Sequence, residues 1–307
     1  MIRSLLHVGM TVPNLEVGRT FYEMFGLQTR VDGNDLAFRC ENRAQDQLRL
    51  IEGPKKKLSY VSFGTNAAGM KAIMANLERA KVAIVDSPFA AKMDGIWFQD
   101  PFGDWINVQV AEPAPSLAST PVEINAPGRY QRIGMRGADL SSLEKRARPR
   151  RLGHLIKFTP DVNSSADFYI RHLGMKLTDR AGDIMAFLRG SAGGDHHIMA
   201  VAKSSHPGLH HVSFEVSDID EIEIGAQKLL GAGYKDGWGL GRHLGGSNFF
   251  HYIRDPWNSL AEYFWDIDVI PEDDSGWQPL DITVEQIGAV WAKTPPPPEF
   301  PLNFEPN

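Results

Sequence analysis

Nine of the ten histidines in this 307-residue chain fall between His154 and His251, and only His7 lies in the first half. Imidazole is the commonest protein metal ligand and carries protons near neutral pH, so the clustering points to chemistry confined to the second half. In that half His154, His211 and Glu262 offer two imidazoles and one carboxylate from well-separated segments. Such a face leaves coordination positions open, as non-haem Fe(II) oxygen chemistry requires; a closed four-ligand site does not.

The elements that must position these residues are written twice. Leu6-His7-Val8 is followed by Pro13, Phe21-Tyr22 and Phe25-Gly26-Leu27; Gly153-His154-Leu155 is followed by Pro160, Phe168-Tyr169 and Leu173-Gly174-Met175. Each copy reads as a strand, an N-capped helix burying its Phe-Tyr pair, and a glycine turn. Ser59-Tyr60-Val61-Ser62-Phe63 then matches His210-His211-Val212-Ser213-Phe214, both alternating strands that lead into an amphipathic helix. Gln99-Asp100-Pro101 matches Arg254-Asp255-Pro256, turns that precede strands over residues 106–110 and 260–264.

The duplication predicts an α+β protein of two tandem domains, residues 1–115 and 151–275. Between them lies a proline-containing linker, residues 116–150; Pro113 and Pro115 just before it and Pro121 and Pro127 within it interrupt regular structure. Arg146, Arg148, Arg150 and Arg151 at its end read as a solvated basic face. Residues 276–307 form a proline-rich tail whose Pro295–Pro298 run should be extended, lying over a surface of its own or a neighbouring subunit.

Matched positions show which copy carries the chemistry. His154 corresponds to His7, His211 to Tyr60, and Glu262 to Asn107. The first copy therefore offers a poor metal site yet must still fold, which argues against the second copy's triad being only a core hydrogen-bond network. Strand alternation alone says that one of His210 and His211 faces inward. With 42% hydrophobic and 23% charged residues the chain reads as soluble, and a net charge of -6 with pI near 5.9 argues against a nucleic-acid binder. A single cysteine, Cys40, excludes an internal disulfide and suits a reducing cytoplasm. Residues 1–11 are too short and mixed for a signal peptide, and no apolar stretch approaches membrane-spanning length.

Gly241-Arg242-His243, Tyr252, Asp255-Pro256 and Glu262, together with Gly153-His154 before Pro160-Asp161 and with Leu209-His210-His211-Val212, resemble the type I extradiol dioxygenases of the vicinal oxygen chelate superfamily. The resemblance implies paired βαβββ modules curling a mixed sheet in each domain. It implies His211 rather than His210 as ligand, Fe(II) as cofactor with Mn(II) as the alternative, and insertion of both atoms of O2 into a catechol beside its diol. It also implies a homo-oligomer. His197, in Asp195-His196-His197-Ile198, matches the acid–base histidine, while His243 and Tyr252 match groups that donate hydrogen bonds to the substrate oxygens. Asn248 and Phe187 are candidate substrate contacts, with Trp238 and Trp265 as further aromatic wall. Arg189 and Arg242 are candidates to hold an anionic substituent; His196, His210 and His251 read as packing, supporting or surface histidines. The sequence departs from the signature at His251, where an apolar residue is usual, and at Asn258, where Gly or Pro is usual. Two rival readings are a metal-dependent isomerase or lyase, whose missing ligands Tyr60 and Asn107 cannot supply, and a non-catalytic small-molecule binder, which has no use for His197, His243 and Tyr252.

Overall fold

A computed structural model describes residues 1–90, 93–112, 133–134 and 146–306, so the linker prolines at 113, 115, 121 and 127 lie outside the described residues. The first half runs β1 (Ser4–Val12), α1 (Leu15–Phe25), β2 (Gln28–Asp32), β3 (Asp35–Arg39), β4 (Leu48–Glu52), β5 (Lys57–Thr65), α2 (Ala67–Arg79), β6 (Ile96–Gln99) and β7 (Trp105–Val110). The second runs β8 (Arg151–Thr159), α3 (Val162–Leu173), β9 (Lys176–Ala181), β10 (Met185–Arg189), β11 (Gly194–Asp195), β12 (Met199–Lys203), β13 (Gly208–Glu215), α4 (Ile219–Gly231), β14 (Asp236–His243), β15 (Phe249–Arg254) and β16 (Leu260–Trp265). The tail adds β17 (Val269–Ile270), α5 (Val284–Ile287) and β18 (Ala289–Ala292).

Each half makes one mixed sheet. The strand orders are β2-β3-β4-β1-β5-β7-β6 and β18-β14-β15-β16-β13-β8-β12-β10-β9. Two modules meet through an antiparallel pair at each centre, β1 with β5 and β8 with β13, flanked by parallel partners. One module is shorter than the repeat predicts: between α2 and β6 the expected strand shrinks to a single bridge from Val85 to Trp97. Pro88, which cannot donate to a ladder, stands just beyond it.

Local chemistry explains the repeated strand–helix–turn. Asn14 and Asp161 cap α1 and α3 by accepting from Val17 N (3.0 Å) and Ser164 N (2.8 Å). Gly26 (φ 109°) and Gly174 (φ 68°) end the helices in the left-handed conformation that side chains resist. Asn258, the departure in the Asp-Pro turn, has φ 72°, which Asn tolerates better than most residues.

The two halves share one hydrophobic cluster. Phe25 of α1 stacks on Tyr263 of β16 with centroids 3.9 Å apart, and the Tyr263 hydroxyl donates to Phe25 O at 2.7 Å. Lys157, fully buried on β8, is paired with Asp100 and Asp104 from the first half's Asp-Pro turn. The basic cluster divides: Arg146 and Arg148 are exposed 3.8 and 3.7 Å from Glu41, whereas Arg151 lies on β8 and bonds Asp195 and Glu215. Only the first two fit the expected solvated face.

His251 neither walls a pocket nor meets solvent. It is buried on the far face of β15, with Nδ1 2.8 Å from Glu223 on α4 and Nε2 3.3 Å from Asp236. Burial alone would lower its pKa, but hydrogen bonds and charge from Asp236 and Glu223 outweigh that and raise it above the ordinary value. A raised folded pKa stabilises fully below the unfolded value, about 6.5, and the contribution fades as pH rises through the folded pKa. Urea melts of His251→Gln against wild type should therefore show a deficit of about 1 kcal/mol at pH 6 that shrinks by pH 9. A pH-independent deficit would rule out this linkage.

Candidate functional site

Strand register gathers the chemistry. β15, β16, β13 and β8 are consecutive in the sheet, and their pairings set Tyr252 opposite Glu262, Glu262 opposite Ser213, and Ser213 opposite His154. Adjacent strands sit about 4.8 Å apart, so these four residues form one row across a single face. His211, two residues before Ser213, points to the same face. One ligand atom from each of His154, His211 and Glu262 then lies within 4.8 Å of the others. Glu262 Oε2 is 3.1 Å from His154 Nε2 and 3.4 Å from His211 Nε2.

The donor set fits a metal ion. Glu262 is fully buried, and its Oε1 has no hydrogen-bond partner among the described residues; the same holds for His211 Nε2. Buried polar atoms are seldom left this way without a ligand or ion to take them up. Burial, then neighbouring imidazoles, hold His211 well below the usual histidine pKa, which keeps it neutral and available as a ligand. For Glu262 burial would raise the pKa, but the hydrogen bond and charge of His154 and the charge of His243 outweigh it, and the carboxyl stays ionised.

The corresponding row in the first half is filled by protein. Trp97, Asn107, Ser62 and His7 occupy the matched register positions. Asn107 Oδ1 accepts from Ser62 Oγ (2.7 Å) and Gln109 Nε2 (2.8 Å), and its Nδ2 donates to Asp94 O (3.0 Å). Tyr60, at the position of His211, packs between Phe89 and Trp97. Glu262 and Asn107 thus hold equivalent places, but only Glu262 is left with an unused oxygen.

Around the triad lies a cavity of about 430 Å³. His197, His243, Tyr252, Asn248, Phe187 and Trp238 all line it, while Trp265 does not and instead stacks on Phe249. The His197 ring is 4.2 Å from that of His154 and edge-on to Phe187 at 5.0 Å. Asn248 is 1% exposed and neither amide atom has a hydrogen-bond partner among the described residues, so both are open to a ligand. Tyr252 lies 2.9 Å from His243 Nε2, and burial first, then Glu262, pushes its phenol well above the ordinary range.

Two histidine pairs support the site: the sequence points to His211 and His197 in it and leaves His210 and His196 as packing, supporting or surface residues. His210 Nε2 lies 2.9 Å from the carbonyl of Phe300, which can only accept, so that nitrogen carries the proton. His210 Nδ1 therefore accepts from His211 Nδ1 at 2.7 Å, and the lone pair of His211 is fixed on Nε2, toward Glu262. The second pair repeats the arrangement with a carboxylate. Asp179 Oδ2 is 2.9 Å from His196 Nε2, and His196 Nδ1 is 3.0 Å from His197 Nδ1, which leaves His197 Nε2 as a base. The two doublets of adjacent histidines were the available signal. The tail supports both pairs: Phe300 O accepts from His210, and Leu280 N donates to Asp179 Oδ1 at 2.8 Å, holding the carboxylate that His196 meets. Gly288 O likewise accepts from His243 Nδ1 at 2.9 Å.

Removing such an orienting partner typically weakens metal binding by roughly 10–100-fold. His210→Phe should show that loss in anaerobic titration with Fe(II), with far-UV circular dichroism unchanged. Affinity within about twofold of wild type would mean that His211 is oriented without His210.

Residues 151–263 match the profile of the glyoxalase/bleomycin resistance protein/dioxygenase superfamily, the class to which this fold and its metal-type site belong. The chain is 37% identical to Metapyrocatechase 2 of Cupriavidus necator over 303 residues, covering 97% of this chain and 91% of that protein. The chain belongs to the type I extradiol dioxygenases of that superfamily. Among solved structures it is similar to a Mn(II)-bound glyoxalase from Novosphingobium aromaticivorans, with TM-score 0.78, 22% identity and coverage of 98% and 94% of the two chains. It is also similar to BphC, a halotolerant catechol dioxygenase, with TM-score 0.75, 21% identity and coverage of 98% and 97%. These two likenesses concern the fold. Among the described residues no helix is long and apolar enough to cross a membrane.

Proposed function

We propose that the second half holds one Fe(II), or Mn(II) in its place, on His154, His211 and Glu262, and that the chain opens a catechol ring beside its diol with O2. The observation that carries the metal assignment is the unused lone pairs of buried His211 Nε2 and Glu262 Oε1, facing one point beside a neutral imidazole pair. When bound, the metal supplies adjacent open positions for the diol and O2 and stabilises negative charge on the diol oxygens.

The chain's own groups manage the rest. His197 Nε2, held neutral by burial and by the neighbouring imidazoles, takes the proton of a catechol hydroxyl and later returns it to the departing oxygen. Tyr252 and Asn248 orient the diol, and His243 keeps the Tyr252 hydroxyl in place. Phe187 and Trp238 exclude water from the ring face. The carbon–carbon bond next to the diol breaks and both oxygen atoms end in the product, so no external reductant is consumed.

Anaerobic Fe(II)-loaded protein mixed with catechol and then exposed to air should turn yellow as the ring-fission product forms. Metal-replete protein that binds catechols but gives no such product with either Fe(II) or Mn(II) would sink the proposal.

A further inference from the structure

The triad's residues and their polar neighbours supply only part of the cavity wall; most of the rest is apolar. That apolar wall is made by Ile156, Phe158 and Met185 from the sheet and by Ile287, the Pro296–Pro298 run and Phe300 from the tail. An apolar cavity of roughly 150 Å³ is enough for a benzene ring. At about 430 Å³ this one has room for a ring and a sizeable substituent beyond it. Apolar lining with a few polar groups gathered at one end is how small-molecule sites fix orientation and select by shape.

Charge tells the same story. Arg189, a candidate to hold an anionic substituent, is buried and committed to Leu177 O, Thr178 and Asp274. Arg242, the other candidate, sits over the Phe249 ring, 3.5 Å from Asp266, and is not among the lining residues. Among the described lining residues the remaining non-histidine cation is Lys203, exposed at the rim. A carboxylate carried against this apolar wall would be desolvated with no buried Lys or Arg among the described lining residues to pair with it.

The tail that makes this wall is firmly seated. Glu305 is buried, accepts from Leu58 N at 3.0 and 2.9 Å, and is paired with Lys56 at 2.6 Å. Asn303 donates to His206 O and Pro207 O, and Trp238 Nε1 donates to Thr294 O at 2.9 Å. Pinned at both ends, the segment 294–305 is a wall of fixed position.

We infer that the substrate is a catechol carrying an uncharged alkyl or aryl substituent, and that the tail, through Phe300 and Pro296–Pro298, is the element that selects it. This rests on the ring-cleavage reading above and adds the substrate class to it. The test is anaerobic binding to the Fe(II) holoenzyme, followed by turnover in air, for catechol, 4-methyl-, 4-ethyl- and 4-butylcatechol and 3,4-dihydroxybenzoate. Affinity should rise along the alkyl series by about fourfold for each methylene that becomes buried, with the carboxylated catechol weakest. Phe300→Ala should flatten the series while retaining bound iron, because the carbonyl that orients His210 is untouched. Equal affinity across the series in wild type, or tightest binding of 3,4-dihydroxybenzoate that Lys203→Met abolishes, would overturn the inference whether or not the variants fold. Graded binding with no ring opening of any catechol would instead overturn the ring-cleavage reading and leave the selectivity intact.

Discussion

Glu262→Ala, purified without oxygen, is expected to carry little or no iron where wild type carries about one per chain, the stoichiometry of a facial triad. Loss of a carboxylate ligand should cost more than the roughly 10–100-fold in affinity typical of a supporting partner, because it removes the donor's charge as well as a bond. In the structure Glu262 Oε2 also bonds His154 Nε2 at 3.1 Å, so its removal leaves that ligand without its partner as well. Metal analysis after buffer exchange, with circular dichroism to verify folding, is the measurement. The matched site in the first half supports survival of the fold: with Asn107 in place of Glu and Tyr60 in place of His, the same sheet still forms. Iron retained at wild-type stoichiometry would show that the metal sits elsewhere.

The second large effect is expected at His197. Replacing a positioned acid–base group typically costs about 10²–10⁴ in rate, and His197→Phe should lower kcat within that range while iron content and anaerobic catechol affinity stay near wild type. That split separates proton management from binding, since His197 is not one of the three clustered donors. The Asp179–His196–His197 chain gives a finer test. His196→Phe leaves the His197 ring in the cavity but removes the acceptor at 3.0 Å that fixes its tautomer. A smaller kcat loss than in His197→Phe, again with iron retained, is the expected result. A His197→Phe enzyme within about tenfold of wild type would remove the acid–base role.

Much of this protein was legible in its sequence because it is written twice. The repeat exposed the strand–helix–glycine units, and comparison of the copies separated His154, His211 and Glu262 from His7, Tyr60 and Asn107. Period-2 alternation predicts that one of the His210-His211 pair faces inward, yet both line the cavity, because the strand's register shifts between Leu209 and His211. The same local logic predicts an N-capped helix and a glycine turn in each copy, and the structure supplies Asn14 and Asp161 as the caps and Gly26 and Gly174 at the turns.

What the sequence alone could not decide was lateral. That Tyr252, Glu262, Ser213 and His154 stand in one row depends on the register of four strands, set by pairings between residues far apart in the chain. The tail's part in the site is of the same kind. Phe300 O meets His210 across 90 residues and Glu305 meets Lys56 across 249, and neither a proline run nor a histidine doublet encodes its partner. Composition and spacing name the groups able to do chemistry; only packing decides which of their hydrogens and lone pairs remain free to do it.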